Sequence, residues 1–197
     1  MTVESRTLTR PLEIRAEGEG GKKIGGLGVV YNSSADIGGG CFREVFAPGA
    51  FRDSLTADVL ALFGHDRNRV LGRTLAQTLR LSEDESGISY EIDLPDTTDG
   101  RDMAELVKRG DIRGTSFGFV AEKETWDEST EPPTRTIHKA RLREISPTAD
   151  PAYSDTTVAM RSLDAARKER RSANFSAAAM RLRLKADLDV RVRSKAG

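Results

Sequence analysis

The chain has 197 residues, with 31 Lys and Arg against 31 Asp and Glu and a formal net charge of zero. That balance gives no general reason to expect nucleic acid, and the longest apolar runs, such as Val59-Leu60-Ala61-Leu62-Phe63, fall far short of the roughly 20 residues a membrane helix needs. A single cysteine, Cys41, excludes an internal disulfide framework, one Cys and two His are too few for a Cys/His zinc finger, and residues 1–6 lack the apolar stretch of a secretory signal, so a cytoplasmic globular domain, with or without an arm, is expected.

Leu12-Glu13-Ile14-Arg15-Ala16 alternates with the period of two that marks a strand. Gly18, Gly20 and Gly21 punctuate a turn, and Leu27-Gly28-Val29-Val30-Tyr31 predicts a second strand. Gly38-Gly39-Gly40 reads as a loop, and Pro48-Gly49-Ala50-Phe51 opens a short helical stretch towards Leu55. The run 59–63 suits a buried strand. Residues 75–81 and 87–94 read as a hairpin around Ser82-Glu83-Asp84-Glu85-Ser86. A helix follows, with Asp99 as candidate N-cap, Met103, Leu106 and Val107 on one face, and Gly110 just past its end. Residues 114–120 predict a strand, 124–133 a polar loop, and 136–145 a further strand stopped by Pro147. Short strands with few helices favour an α+β, mainly β fold: a closed antiparallel β-barrel flanked by a few helices.

The neutral total hides an asymmetry. After Met160 there are eleven basic residues against four acidic ones, so this arm carries +7 and residues 1–160 carry −7. The expected division is a domain at 1–160 and a basic C-terminal arm at 161–197. Residues 161–179 have helical composition. Residues 180–193 alternate strictly between apolar and charged, which reads as a disordered arm or a strand awaiting a sheet edge. An acidic body with a basic arm suggests that the arm has a task of its own.

With two histidines, the search for chemistry is short. His65, in Phe63-Gly64-His65-Asp66, lies where a buried strand meets a loop, and an imidazole titrating near pH ~6.5 accepts a proton at physiological pH. The competing reading is a structural histidine bonded to backbone. Ser116 lies in Gly114-Thr115-Ser116-Phe117-Gly118-Phe119; a period of two puts Gly114, Ser116 and Gly118 on one face, open to a substrate backbone, and the phenylalanines on the other. The letters Gly-x-Ser-x-Gly match a nucleophile elbow, but that motif needs a strand before the serine and a helix after it, the reverse of the order here, so the match is a coincidence. A serine needs a base, and the base an orienting acceptor. Glu144 is one candidate for that acceptor; it shares a face with Leu142 and should point inward, where a carboxylate needs a partner. A salt bridge from Glu144 to an arginine competes with that reading, and His138 and Asp150 stay open as alternatives. Arg141 and Arg143 are either helpers at the site or solvated strand-face charges. Cys41, without a histidine near it in sequence, reads as an ordinary thiol, and Trp126 as a loop aromatic or a cover for the barrel end.

Four groups of residues now stand in order: Val45-Phe46-Ala47-Pro48-Gly49-Ala50-Phe51; Phe63-Gly64-His65-Asp66 with Leu71-Gly72-Arg73; Arg109-Gly110-Asp111-Ile112-Arg113-Gly114-Thr115-Ser116-Phe117-Gly118-Phe119; and Leu142-Arg143-Glu144-Ile145-Ser146-Pro147 with Pro151-Ala152-Tyr153. Over roughly residues 10–160 the chain resembles the tailed-phage prohead proteases, a family related in fold to herpesvirus assemblin. The resemblance implies a closed β-barrel and a serine endopeptidase inside the assembling prohead in the host cytoplasm. Its substrates would be scaffold protein or the scaffolding region of the major capsid protein, and often the enzyme itself. It implies Ser116 as nucleophile and His65 as general base. The third position is Glu144 in an acidic version or His138 in an assemblin-like one; Asp150, where relatives often carry an apolar or aromatic residue, is a departure. No metal or organic cofactor, no nucleic acid and no membrane partner are implied, and a homodimer is possible within the family. A non-catalytic scaffold or assembly protein of the phage head is the competing function. A lipocalin-type ligand-binding barrel is a further competitor, and the missing signal argues against it.

Overall fold

In the computed structural model, the described residues are 3–8, 13–16, 22–149 and 156–195. Eleven strands run in chain order: β1 (Glu4–Leu8), β2 (Glu13–Ala16), β3 (Lys22–Val30), β4 (Ala35–Ile37), β5 (Phe42–Phe46), β6 (Leu60–Phe63), β7 (Asp66–Arg73), β8 (Leu79–Glu83), β9 (Gly87–Asp93), β10 (Gly114–Asp127) and β11 (Thr134–Thr148). Helix α1 (Thr98–Arg109) separates β9 from β10, and α2 (Thr156–Lys195) follows β11. A 3-10 turn, Arg52–Thr56, stands where a short helical stretch is expected. The chain divides into two compact units, Met1–Thr156 and Thr157–Gly197.

The expectation of a closed antiparallel barrel is overturned. The molecule is mixed α/β, about 48% strand and 25% helix, with two sheets, neither of them closed. The larger sheet runs β1-β10-β11-β5-β4, with β6 added to β11 and β7 to β6; the smaller runs β2-β3-β9-β8. The physical reason lies in β11. One edge of this 15-residue strand is shared by two partners, β5 at Thr134–Ile137 and β6 at Glu144–Ile145, and both pair with it in parallel. A reading built on successive antiparallel hairpins has no place for two parallel partners side by side. The helical share comes largely from α2, whose 40 residues include the alternating stretch 180–193. That stretch is helical, neither disordered nor a waiting strand: Ala, Leu, Arg and Lys are good helix formers, and here propensity outweighs period.

The apolar faces of the sheets supply the core: Ile24, Val29, Ile88 and Ile92 from the smaller, Phe46, Phe117, Phe119 and Ile145 from the larger. Phe46, Phe51, Phe117 and Phe119 meet with ring centroids 5.2–6.1 Å apart, mostly edge-on. Burying each such ring is worth about 1.5–3 kcal/mol. Phe117 and Phe119 therefore fix which way β10 faces, and period two turns Ser116 and Gly118 to the other side.

Helix α1 buries Met103, Ala104 and Val107. Its N-cap is Thr97, whose hydroxyl accepts from the Gly100 N–H, two residues earlier than the expected Asp99; Asp99 instead pairs with Arg69, and Gly110 ends the helix as expected. Strand β10 runs into the polar stretch expected as a loop as far as Asp127, residues 128–133 form the loop before β11, and Trp126 packs edge-on against Phe42. Strand β11 runs past Pro147.

Strand β1 is held by charge. Glu4 and Arg6 are buried, and they meet buried Glu44 and Arg135 in one cluster. Arg6 donates to Glu44 at 2.6 Å and Glu4 at 3.0 Å; Arg135 donates to Glu4 at 2.6 Å and Glu44 at 2.9 Å, and it also binds Glu124. Buried charges of this kind persist only when each finds partners. Among the described residues no helix is long and apolar enough to cross a membrane.

Candidate active site

The site begins at a two-residue hairpin turn. Phe63 pairs with Asp66, and Gly64 and His65 form the turn between β6 and β7. Their φ values are +56° and +69°, the two positive angles of a type I′ turn. Glycine takes the first without penalty. His65 takes the second at a cost of about 1–3 kcal/mol, a strain that clusters at functional positions. Two bonds hold the turn against the end of β11: the Gly64 N–H donates to the Pro147 carbonyl at 3.3 Å, and the His65 N–H to Ser146 Oγ at 3.2 Å.

Glu144 does not share the face of Leu142 as expected. Gly118 pairs with Glu144, but Phe119 pairs with Leu142, so Arg143 is an extra residue in the ladder. This bulge changes the phase of β11. Leu142 and Ile145 both pack in the core, while Glu144 and Ser146 turn to the opposite side, opposite Gly118 and Ser116. Bulges re-aim side chains in this way. Gly118 is small for a reason: a Cβ there would lie 2.7 Å from Glu144 Oε1.

The ring of His65 reaches this carboxylate. Nδ1 lies 2.7 Å from Glu144 Oε1, and Ser146 donates its hydroxyl to Glu144 Oε2. With the carboxylate ionised, Nδ1 carries the hydrogen, which leaves Nε2 with its lone pair in the neutral ring. Nε2 is buried and has no hydrogen-bond partner among the described residues. The hydrogen bond that Nδ1 donates to Glu144 pushes the His65 pKa above 6.5; partial burial opposes this and the carboxylate charge adds to it.

Ser116 sits on the same face. In the ladder it lies between Thr7 of β1 and Ser146 of β11. It is fully buried, not open to a substrate as expected. Its hydroxyl donates to the Arg6 carbonyl at 2.9 Å and lies 3.2 Å from Ser5 Oγ. Thr7 Oγ1, opposite it, is the other buried side-chain polar atom without a partner among the described residues. Unpartnered buried polar atoms are few in native proteins; here one belongs to His65 and one to the residue opposite Ser116.

The structure thus joins His65 and Glu144 by a direct bond and puts Ser116 on the face that Glu144 occupies. His138 is exposed, six residues back along β11, and bonds Thr125 at 2.8 Å. Asp150 lies outside the described residues. Arg141 is exposed and pairs with Glu122, and Arg143 is exposed on the bulge. Cys41 is exposed, its thiol 3.0 Å from the Gly38 carbonyl. Sequence reasoning missed Ser5, Thr7 and Ser146. Ser146 was within its reach, since it stands two residues from Glu144 and so shares its face. No group of three or more His, Cys, Asp or Glu able to hold a metal occurs among the described residues.

Comparison with known families decides what this arrangement belongs to. The family model for caudovirus prohead serine proteases matches residues 10–169. The chain belongs to the caudovirus prohead serine protease family. No curated protein and no solved structure gives a significant match. The matched span contains His65, Ser116 and Glu144. As a prohead serine protease, the chain is a hydrolase of phage capsid maturation.

Proposed function

We propose that the chain is the endopeptidase of a phage head, with Ser116 as nucleophile, His65 as general base and Glu144 as the group that orients His65. The observation that carries this reading is the state of the imidazole: Nδ1 held by Glu144 at 2.7 Å and Nε2 buried and unpartnered. A general base needs that combination of one fixed nitrogen and one available lone pair.

For reaction, β1 has to give way over Ser116, which is fully buried against the Arg6 carbonyl; the freed hydroxyl then turns to another staggered position and donates to Nε2. Oγ then bonds to the scissile carbonyl carbon as its proton passes to Nε2. The resulting imidazolium is stabilised by Glu144. Collapse of the tetrahedral adduct breaks the C–N bond, His65 returns the proton to the leaving amine, and the acyl group stays on Ser116. Water, deprotonated by His65, releases it.

The substrates under this reading are scaffold protein or the scaffolding region of the major capsid protein, cut inside the prohead, together with the chain itself. Co-expression with the capsid and scaffold proteins of the same phage tests it. Wild type should shorten one of them and Ser116→Ala should leave both intact. Equal processing by the two proteins would defeat the reading, and absence of processing by either would favour the non-catalytic assembly role.

A further inference from the structure

We propose that Ser146 is a positioning residue of this site: through one hydroxyl it couples the strained backbone of His65 to the second oxygen of Glu144. The inference rests on the catalytic reading above and adds a fourth member to it.

Three observations support it. First, the Ser146 oxygen is used twice. Its O–H donates to Glu144 Oε2, and its lone pair accepts the His65 N–H at 3.2 Å. Second, both groups it joins need holding. Glu144 Oε1 is given to Nδ1, so without Ser146 the carboxylate is free to rotate about its last bond and lift Oε1 from the ring. His65 occupies a left-handed conformation at φ +69°, which a β-carbon disfavours unless surrounding bonds fix it. Third, Ser146 is fully buried, and Ala61, paired with neighbouring Ile145, is buried in the core. The Ser146 hydroxyl is therefore spent on these two partners and not on solvent. The hydroxyl touches no reacting atom. Its work is to keep the carboxylate and the ring in contact while a proton moves onto Nε2.

The bulge at Arg143 gives this arrangement its origin. By turning Glu144 off the core side, it turns Ser146 with it, and the tip of the β6–β7 hairpin lies against that pair. One register shift thus assembles the acid, the hydroxyl and the ring.

The test is the rate at which a fluorophosphonate labels Ser116, followed by intact mass across pH 5–9, for wild type, Ser116→Ala, Ser146→Ala and Ser146→Thr, with folding of each checked by thermal melting. Loss of hydrogen bonds to charged groups is expected to slow Ser146→Ala about 10- to 100-fold. A carboxylate no longer held by Ser146 lifts off the ring and raises the His65 pKa less, so the acidic limb of the pH–rate profile should move to lower pH. Among the described residues Glu144 is the one charged group acting on the ring, which makes that movement readable. Ser146→Thr keeps the hydroxyl and should recover the rate. A labelling rate for Ser146→Ala within twofold of wild type overturns the proposal. So does a slower rate with an unmoved acidic limb, because a purely structural role would lower the amount of folded enzyme without moving that limb, and so does a folded Ser146→Thr as slow as the alanine variant. If wild type itself is not labelled, or Ser116→Ala is labelled equally, the catalytic reading has failed and this inference falls with it.

Discussion

Replacing Gly118 by alanine adds one carbon beside the carboxylate that holds His65. The backbone at Gly118 is not left-handed, so the only obstacle is contact. The new Cβ would lie 2.7 Å from Glu144 Oε1, 3.0 Å from its Cγ and 3.2 Å from its Cδ. Ordinary contact begins near 3.4 Å, so Oε1 must retreat by about 0.7 Å. Because Cγ and Cδ are crowded too, rotating the carboxylate in place does not relieve the clash; the end of the side chain has to move. The Nδ1–Oε1 separation of 2.7 Å has little slack before the bond is lost near 3.4 Å. Misplacement of this order costs about 10²-fold in rate when it disturbs a reacting group. Overpacking itself costs about 1–3 kcal/mol, and Glu144 is flexible enough that the lower end is expected. Gly118→Ala should therefore fold, melt a few degrees below wild type, and be labelled by a fluorophosphonate about 10²-fold more slowly. Labelling within threefold of wild type, on a protein that folds normally, would refute the argument that Gly118 makes room for the acid.

Further outcomes follow from the same geometry. His65 must be neutral to act as base, and its pKa is raised above 6.5 by Glu144, so the acidic limb of activity should have its midpoint above pH 6.5. Glu144→Gln should bring that midpoint down towards 6.5 and slow labelling by about 10³-fold or more, as loss of the orienting acid does in triads. The same shift has a signature in stability: a folded-state pKa that is raised stabilises fully below the unfolded value and ceases to do so as pH rises through the folded one. The melting difference between wild type and Glu144→Gln should accordingly be larger at pH 6 than at pH 9. Arg135→Met leaves Glu4, Glu44 and Glu124 with one fewer buried cation and should cost about 3–5 kcal/mol in denaturant unfolding. Thr97→Ala removes the α1 cap and should cost about 1 kcal/mol.

The parts legible in the sequence were those encoded locally. The face of β10 follows from Phe117 and Phe119 against Ser116, and α1 from its apolar spacing and Gly110. The parts that were not legible depend on distant partners. The polar segment Glu4-Ser5-Arg6-Thr7 has no strand-like hydrophobic pattern, because β1 buries its charges against Glu44 and Arg135. Asp66–Arg73 is equally polar, yet it forms β7 against β6, and the strand expected from residue 75 begins at Leu79 because Gln77 turns the chain with φ +57°. Glu144 was recognised as a candidate but aimed wrongly, since period two carries no sign of the bulge at Arg143. The parallel pairing of β5 and β6 along β11, which separates two open sheets from a barrel, lies between segments far apart in sequence.

The most direct measurement is to locate the adduct. A fluorophosphonate reacts only with a hydroxyl that an adjacent base activates, and peptide mapping of the labelled protein identifies the residue. The expected result is a single phosphonylated position at Ser116, abolished in His65→Ala while that variant stays folded. An adduct on another residue, or undiminished labelling of Ser116 once the imidazole is gone, would contradict the assignment of nucleophile and base.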